Sequence, residues 1–117
     1  MLKAPEHMEH LDALFDALPG ATVVWTHREP LETMASFCSM VAHGRGVFSD
    51  HVDPNEVGRH WLRKVRRMGL RALAVRQRHP ERFVDVAYED LVRDPMGQIE
   101  RIYGALDEPL TQRARAA

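Results

Sequence analysis

Two short β-rich runs, residues 22–27 (Thr-Val-Val-Trp-Thr-His) and 82–88 (Arg-Phe-Val-Asp-Val-Ala-Tyr), stand far apart with helical pattern between them. No other feature constrains the fold as strongly. The first run has a nearly continuous apolar centre, as in a strand covered on both faces. The second takes its apolar content from Phe83, Val84, Val86 and Ala87. The order helix, strand, helix, helix, strand, helix predicts an α/β domain in which helices flank a parallel sheet in three layers. The two strands are expected to be parallel, and adjacent or separated by one further strand. A typical sheet has about five or six strands, so the pattern reads as part of a larger one.

The helices follow from spacing and punctuation. Residues 6–18 read as a helix with Leu11, Leu14, Phe15 and Leu18 on one side, opened by Pro5 and ended by Pro19-Gly20. Pro30 opens the next, which places Leu31, Met34, Ala35, Cys38 and Val41 on one side and is expected to stop near His43, before Gly44 and Gly46. Asp53-Pro54 supplies a cap and a first-turn proline for the longest helix. Its apolar stripe is Val57, Trp61, Val65, Met68, Ala72 and Val75, and His79-Pro80 closes it. Asp94-Pro95 starts a last helix to about Leu106, anchored by Ile99, Ile102 and Tyr103. Residues 1–117 form a single partial domain, with residues 110–117 expected to fray.

Composition narrows the function classes. With 44% apolar and 28% charged residues, the chain resembles an ordinary soluble protein. Cys38 is the sole cysteine, so an intrachain disulfide and a cysteine-built metal site are excluded. No apolar run approaches the roughly 20 residues that span a bilayer, and the first residues lack the apolar core of a signal peptide. A cytoplasmic protein is the expectation. Net charge is −1, yet it is unevenly placed. Glu6, Glu9, Asp12 and Asp16 mark the first 20 residues, whereas residues 59–78 hold Arg59, Arg63, Lys64, Arg66, Arg67, Arg71, Arg76 and Arg78 without an acid. These lie mostly off the apolar stripe, so they read as a solvated face and not as a nucleic-acid surface.

The stretch from His27 to Ser36 is the most informative chemically. Arg28 leaves the carboxyl end of a predicted strand, where open α/β sheets place their ligands. Ser36 lies eight residues on, about two turns up the helix that Pro30 opens. A guanidinium fork and a hydroxyl so placed suit one phosphate. A surface ion pair for Arg28 and a helix-flank role for Ser36 fit the spacing as well. Glu89 and Asp90, at a strand-to-helix turn, read as caps for the backbone donors that follow.

Three pieces then stand in order: Lys3-Ala4-Pro5, Val23 to Pro30 with Ser36, and Tyr88-Glu89-Asp90-Leu91-Val92-Arg93-Asp94-Pro95. Together they resemble the sulfotransferases that use 3′-phosphoadenosine 5′-phosphosulfate (PAPS), and most closely the bacterial branch with a His-Arg-x-Pro element. The resemblance spreads over residues 2–106. It implies a P-loop NTPase-like fold and transfer of a sulfuryl group from PAPS to an acceptor hydroxyl or amine, with no metal. The acceptor would be a small molecule, a lipid or a carbohydrate. Arg28 and Ser36 match the pair that binds the 3′-phosphate, and Tyr88 matches a residue that contacts the adenine, or else packs at a strand end. Lys3 matches a lysine near the transferred group. His7 is the candidate base, although the cytosolic members place that histidine two residues after the lysine and here Pro5 stands there. His10 has no motif support.

The family's glycine- and lysine-containing 5′-phosphosulfate loop is expected before Lys3, and a late glycine-bearing loop for the 3′-phosphate after Leu106. Neither is found in the sequence, so the isolated chain is expected to bind weakly and not to catalyse. An exposed sheet edge suggests a homo-oligomer or a partner chain. A non-catalytic nucleotide- or partner-binding remnant and another P-loop enzyme, such as a small-molecule kinase, stand as alternatives.

Overall fold

In the computed structural model, which describes residues 2–115, the two runs pair as expected. Strands β1 (Val23–His27) and β2 (Phe83–Ala87) are adjacent and parallel, with Val23 opposite Phe83 and His27 opposite Ala87. Between them run α2 (Pro30–Gly46) and α3 (Pro54–Arg78), and α1 (Leu11–Ala17) precedes β1. After β2 come α4 (Tyr88–Arg93), α5 (Pro95–Ala105) and one last turn, α6 (Gln112–Arg115).

The sheet is flanked by helices on both faces. On one face Val23, Trp25 and Phe83 pack against a cluster of Leu11 and Phe15 from α1 with Ala72 and Val75 from α3. The alternation of side chains along a strand sends Val84 and Val86 to the opposite face, where both are buried and α5 packs on β2. The same face of β1 is less covered: Val24 and Thr26 are exposed. Each strand has one neighbour among the described residues.

The longest helix has the predicted bounds because both ends are chemically fixed. Asp53 accepts from the Asn55 N–H at 2.8 Å, Pro54 presets the first turn, and the His79 N–H closes on the Val75 carbonyl. Four of its stripe residues, Val57, Met68, Ala72 and Val75, are buried, and Trp61 and Val65 are half-buried.

Elsewhere the structure corrects the sequence reading. The helix expected over 6–18 is two pieces, a 3₁₀ turn over Pro5–Glu9 and then α1, because His10 leaves helical geometry at φ −133°. Helix α2 continues through Gly44 and Gly46. Neither glycine takes a positive φ, so each lowers helix propensity by about 1 kcal/mol without turning the chain. The apolar side of α2 is also not a core face: none of its residues is buried, and Leu31 is 79% exposed. Its principal packing partner is α3, through an edge-on contact of Phe37 with Trp61. Residues 110–115 of the tail, expected to fray, include α6, capped by Thr111 and held by Arg115 on Glu100 at 2.5 Å. Residues 116 and 117 lie outside the described residues.

The uneven charge of the sequence becomes a contact. The 3₁₀ turn and α1 lie on α3, so Arg67 meets Glu9 at 2.8 Å, Arg71 lies 3.9 Å from the same carboxylate, and Arg78 pairs with Asp12. With Arg59 on Asp53 and Arg76 on Asp85, five of the eight basic residues of residues 59–78 face a carboxylate. Three of these five, Arg67, Arg71 and Arg78, dock the acidic start of the chain on the basic helix. None of the described helices is long and apolar enough to cross a membrane.

Candidate functional site

The carboxyl ends of β1 and β2 open onto two turns of different construction. After His27 the chain runs through Arg28 and Glu29 into α2. Pro30 holds the preceding residue out of helical geometry, and Glu29 sits at φ −52°, ψ 120°. Its carboxylate accepts from the Glu32 N–H at 2.8 Å, and its carbonyl accepts from Thr33 Oγ1 at 2.8 Å. Glu29 is therefore the cap of α2. After Ala87 the strand passes directly into α4, whose first residue is Tyr88 and whose N-cap, Ala87, makes no side-chain hydrogen bond. The capping roles expected for Glu89 and Asp90 are not realised: Asp90 pairs instead with Arg93, one turn along, at 3.2 Å.

Register brings the candidate residues together. Every ladder pair joins position n of β1 to position n + 60 of β2. Continued by one step, the register sets Arg28 beside Tyr88. The Arg28 guanidinium lies over the Tyr88 ring, 4.6 Å from its centroid. The ion pair of Arg28 with Glu32 is long, 3.7 Å, and both partners are exposed, so it contributes little and leaves most of the guanidinium's donors to other acceptors. Ser36 is exposed on α2 and makes no side-chain hydrogen bond among the described residues. The Arg28 donors and the Tyr88 ring face are thus available at the strand ends, an arrangement suited to an anion attached to a flat heterocycle, whereas no contact among the described residues joins Ser36 to either.

Lys3 and His7 are not drawn into this group. Lys3 is exposed in the extended segment before the 3₁₀ turn, and His7 is half-buried within it. His7 engages neighbours through its backbone, taking the His10 N–H at 3.0 Å and donating to the Ala4 carbonyl at 3.2 Å. Among the described residues no hydrogen bond, ion pair or ring contact joins either one to Arg28, Ser36 or Tyr88. A cleft of about 510 Å³ at the far end of α2, lined by residues that include Val41, Phe48, His51 and Val52, contains none of the five.

The structure shows a polar cluster beside these residues that sequence reasoning missed. Asp85, at the centre of β2, takes His27 Nε2 at 2.6 Å on one carboxylate oxygen and the Arg76 guanidinium on the other. Arg101 of α5 donates to the Asp85 backbone carbonyl. Trp25 stacks on His27 at 5.4 Å, with the Arg76 guanidinium 5.9 Å from the Trp25 ring centroid. A signal existed: a lone acid within Phe-Val-Asp-Val-Ala falls on the same face as Phe83, and a carboxylate there needs partners.

Comparison with known proteins bears on the family and the fold. A family model described as the sulfotransferase family matches residues 1–112. The fold superposes on the crystal structure of sulfotransferase STF9 from Mycobacterium avium with a TM-score of 0.90 and 35% sequence identity. The match covers 98% of this chain and 30% of that structure. No curated protein matched. On a family match that runs through nearly every described element, the chain belongs to the sulfotransferase family.

Proposed function

We propose that these residues form the 3′-phosphate and adenine side of a PAPS site, in a protein that transfers a sulfuryl group to a hydroxyl or amine of a small-molecule, lipid or carbohydrate acceptor in the cytoplasm. The observation that carries the reading is the placement of the Arg28 guanidinium 4.6 Å over the Tyr88 ring at the carboxyl ends of two parallel strands. Arg28 then presents its fork to the 3′-phosphate, and Ser36 adds one directional donor from α2. Tyr88, 42% exposed, offers the rest of its surface to adenine. Charge-assisted hydrogen bonds of this kind contribute about 1.5–3 kcal/mol each where water is excluded; on an open surface the lower end applies.

In transfer, the bond from sulfur to the donor's phosphate oxygen breaks as the acceptor oxygen or nitrogen bonds to sulfur, and the acceptor's proton passes to a base. Lys3 is the residue we assign to offset charge on the bridging oxygen, and His7 is the candidate base. Lys3 and His7 belong in this reading at the sulfuryl end of the donor, away from the 3′-phosphate; with no phosphate loop to orient the sulfate, binding without turnover is the expectation for these residues by themselves. Titration with 3′-phosphoadenosine 5′-phosphate (PAP), 5′-AMP and ATP, followed by NMR, tests the reading. PAP is expected to bind weakly, in the millimolar range, and better than 5′-AMP. Tight ATP binding without PAP binding would replace it with a kinase-type site.

A further inference from the structure

The contact between Arg28 and Tyr88 requires more than register. Arg28 lies one residue beyond the last ladder pair. Its ion pair to Glu32 is long and exposed, and the cap made by Glu29 fixes α2 without touching the guanidinium. The residue just before it is held differently. His27 has 44% of its side chain exposed, yet it is gripped on two sides, by the 2.6 Å hydrogen bond to Asp85 and by the Trp25 ring at 5.4 Å.

Asp85 is itself fixed from several elements. Arg76 of α3 holds its second carboxylate oxygen, and Arg101 of α5 holds its carbonyl. An ionised carboxylate only accepts hydrogen bonds, so the contact with His27 places the proton on Nε2. The chain of contacts runs from α3 and α5 through Asp85 to His27, and His27 is the last residue of β1 before Arg28 leaves the sheet.

We infer that Asp85 and His27 are positioning residues of the donor site: the Asp85–His27 hydrogen bond clamps the end of β1 and thereby sets the Arg28 guanidinium over Tyr88. The donor-site role rests on the function proposed above, whereas the clamp itself is a statement about the unliganded chain. Neither residue touches the phosphate in this scheme. They act on how well Arg28 is placed, and a small displacement of a phosphate-binding group has a large effect on affinity.

The test compares His27→Ala with His27→Gln, because glutamine carries an amide donor able to replace Nε2–H toward Asp85. The first readout needs no ligand: the ring-current shift that Tyr88 imposes on the Arg28 side-chain protons. It is expected to collapse in His27→Ala and to return in His27→Gln. The second readout is affinity for PAP against 5′-AMP, which lacks the 3′-phosphate. His27→Ala is expected to lose about tenfold for PAP, the worth of roughly one misaligned charge-assisted bond, with 5′-AMP little changed, and His27→Gln to recover most of the loss. Asp85→Ala should behave as His27→Ala does; should it fail to fold, the partly exposed His27 carries the comparison. An unchanged ring-current shift in a folded His27→Ala variant overturns the clamp, and an equal loss for both ligands overturns its role in aiming Arg28 at the 3′-phosphate. A ring-current shift that responds as expected in a chain that binds no PAP leaves the clamp standing and refutes the donor-site reading instead.

Discussion

At the scale of single residues, the proposed site separates groups expected to meet a ligand from groups expected to aim them. Arg28→Ala removes the fork and should lower PAP affinity at least tenfold while leaving 5′-AMP within about twofold, since only PAP carries the 3′-phosphate. Arg28→Lys should recover only part of this, because an ammonium keeps the charge but neither the planar fork nor the fit over Tyr88. Ser36→Ala removes one donor to a charged acceptor, worth about 1.5 kcal/mol on an open surface, so a loss of about tenfold is expected in the same titration. Arg28, Ser36 and Tyr88 could be named as candidates from the sequence because each belongs to a local pattern at a strand end or in the helix that follows, and the structure joins Arg28 to Tyr88. Asp85 could not be named in this way. Its partners, His27 and Arg76, come from another strand and another helix, and only folding shows that they converge.

At the scale of elements, two helical glycines make a matched experiment. Gly69, inside α3, has open space where a Cβ would stand, so Gly69→Ala should raise stability by about 0.5–1 kcal/mol through propensity alone. Gly97, in the first turn of α5, would place its Cβ 2.0 Å from Asp94 Oδ2. The Asp94 carboxylate is also the cap, accepting the Gly97 N–H at 2.9 Å. Moving that side chain aside forfeits a cap worth about 1 kcal/mol, so Gly97→Ala should show no gain. Thermal melts of the two variants check the contrast. The same local logic made α3 readable from sequence, since Asp53, Pro54 and the apolar stripe all agree. It failed at His10 and at Gly44 to Gly46, where nothing local tells a permitted weak point from an actual break. His10 leaves the helix, and the two glycines stay within it.

At the scale of the whole molecule, the chain exposes more surface than it should. Its accessible area is 8995 Å², against about 6,500 Å² for a compact protein of 13.4 kDa. Its radius of gyration is 17.1 Å, where roughly 13 Å is usual for this length. The surplus, about 2,500 Å², is the size of a permanent protein interface. Part of it is visible as Leu31, Met40, Val47 and Phe48 along and just beyond α2, Val24 on the sheet, and the outer edges of both strands. The 117-residue chain is therefore expected to self-associate at micromolar concentrations through apolar contacts. Sedimentation should show species heavier than 13.4 kDa that persist in high salt; a monomer throughout that range would refute this. The sequence showed the shortage of strands but not the bareness of α2, because an apolar side reads the same whether or not anything covers it.

The constant offset of 60 between the paired strands carries a consequence for engineering. Alignment across the sheet sets Arg28 beside Tyr88, and the length of polypeptide between them does not enter. Residues 47–53, an exposed connection between α2 and α3, can then take inserted residues, a reporter peptide or a protease site without displacing either side chain. A single residue inserted within β2 does the reverse: it turns every following side chain to the opposite face. Tolerance to insertion should therefore follow the ladder, with the connection permissive and the five residues of β2 refractory.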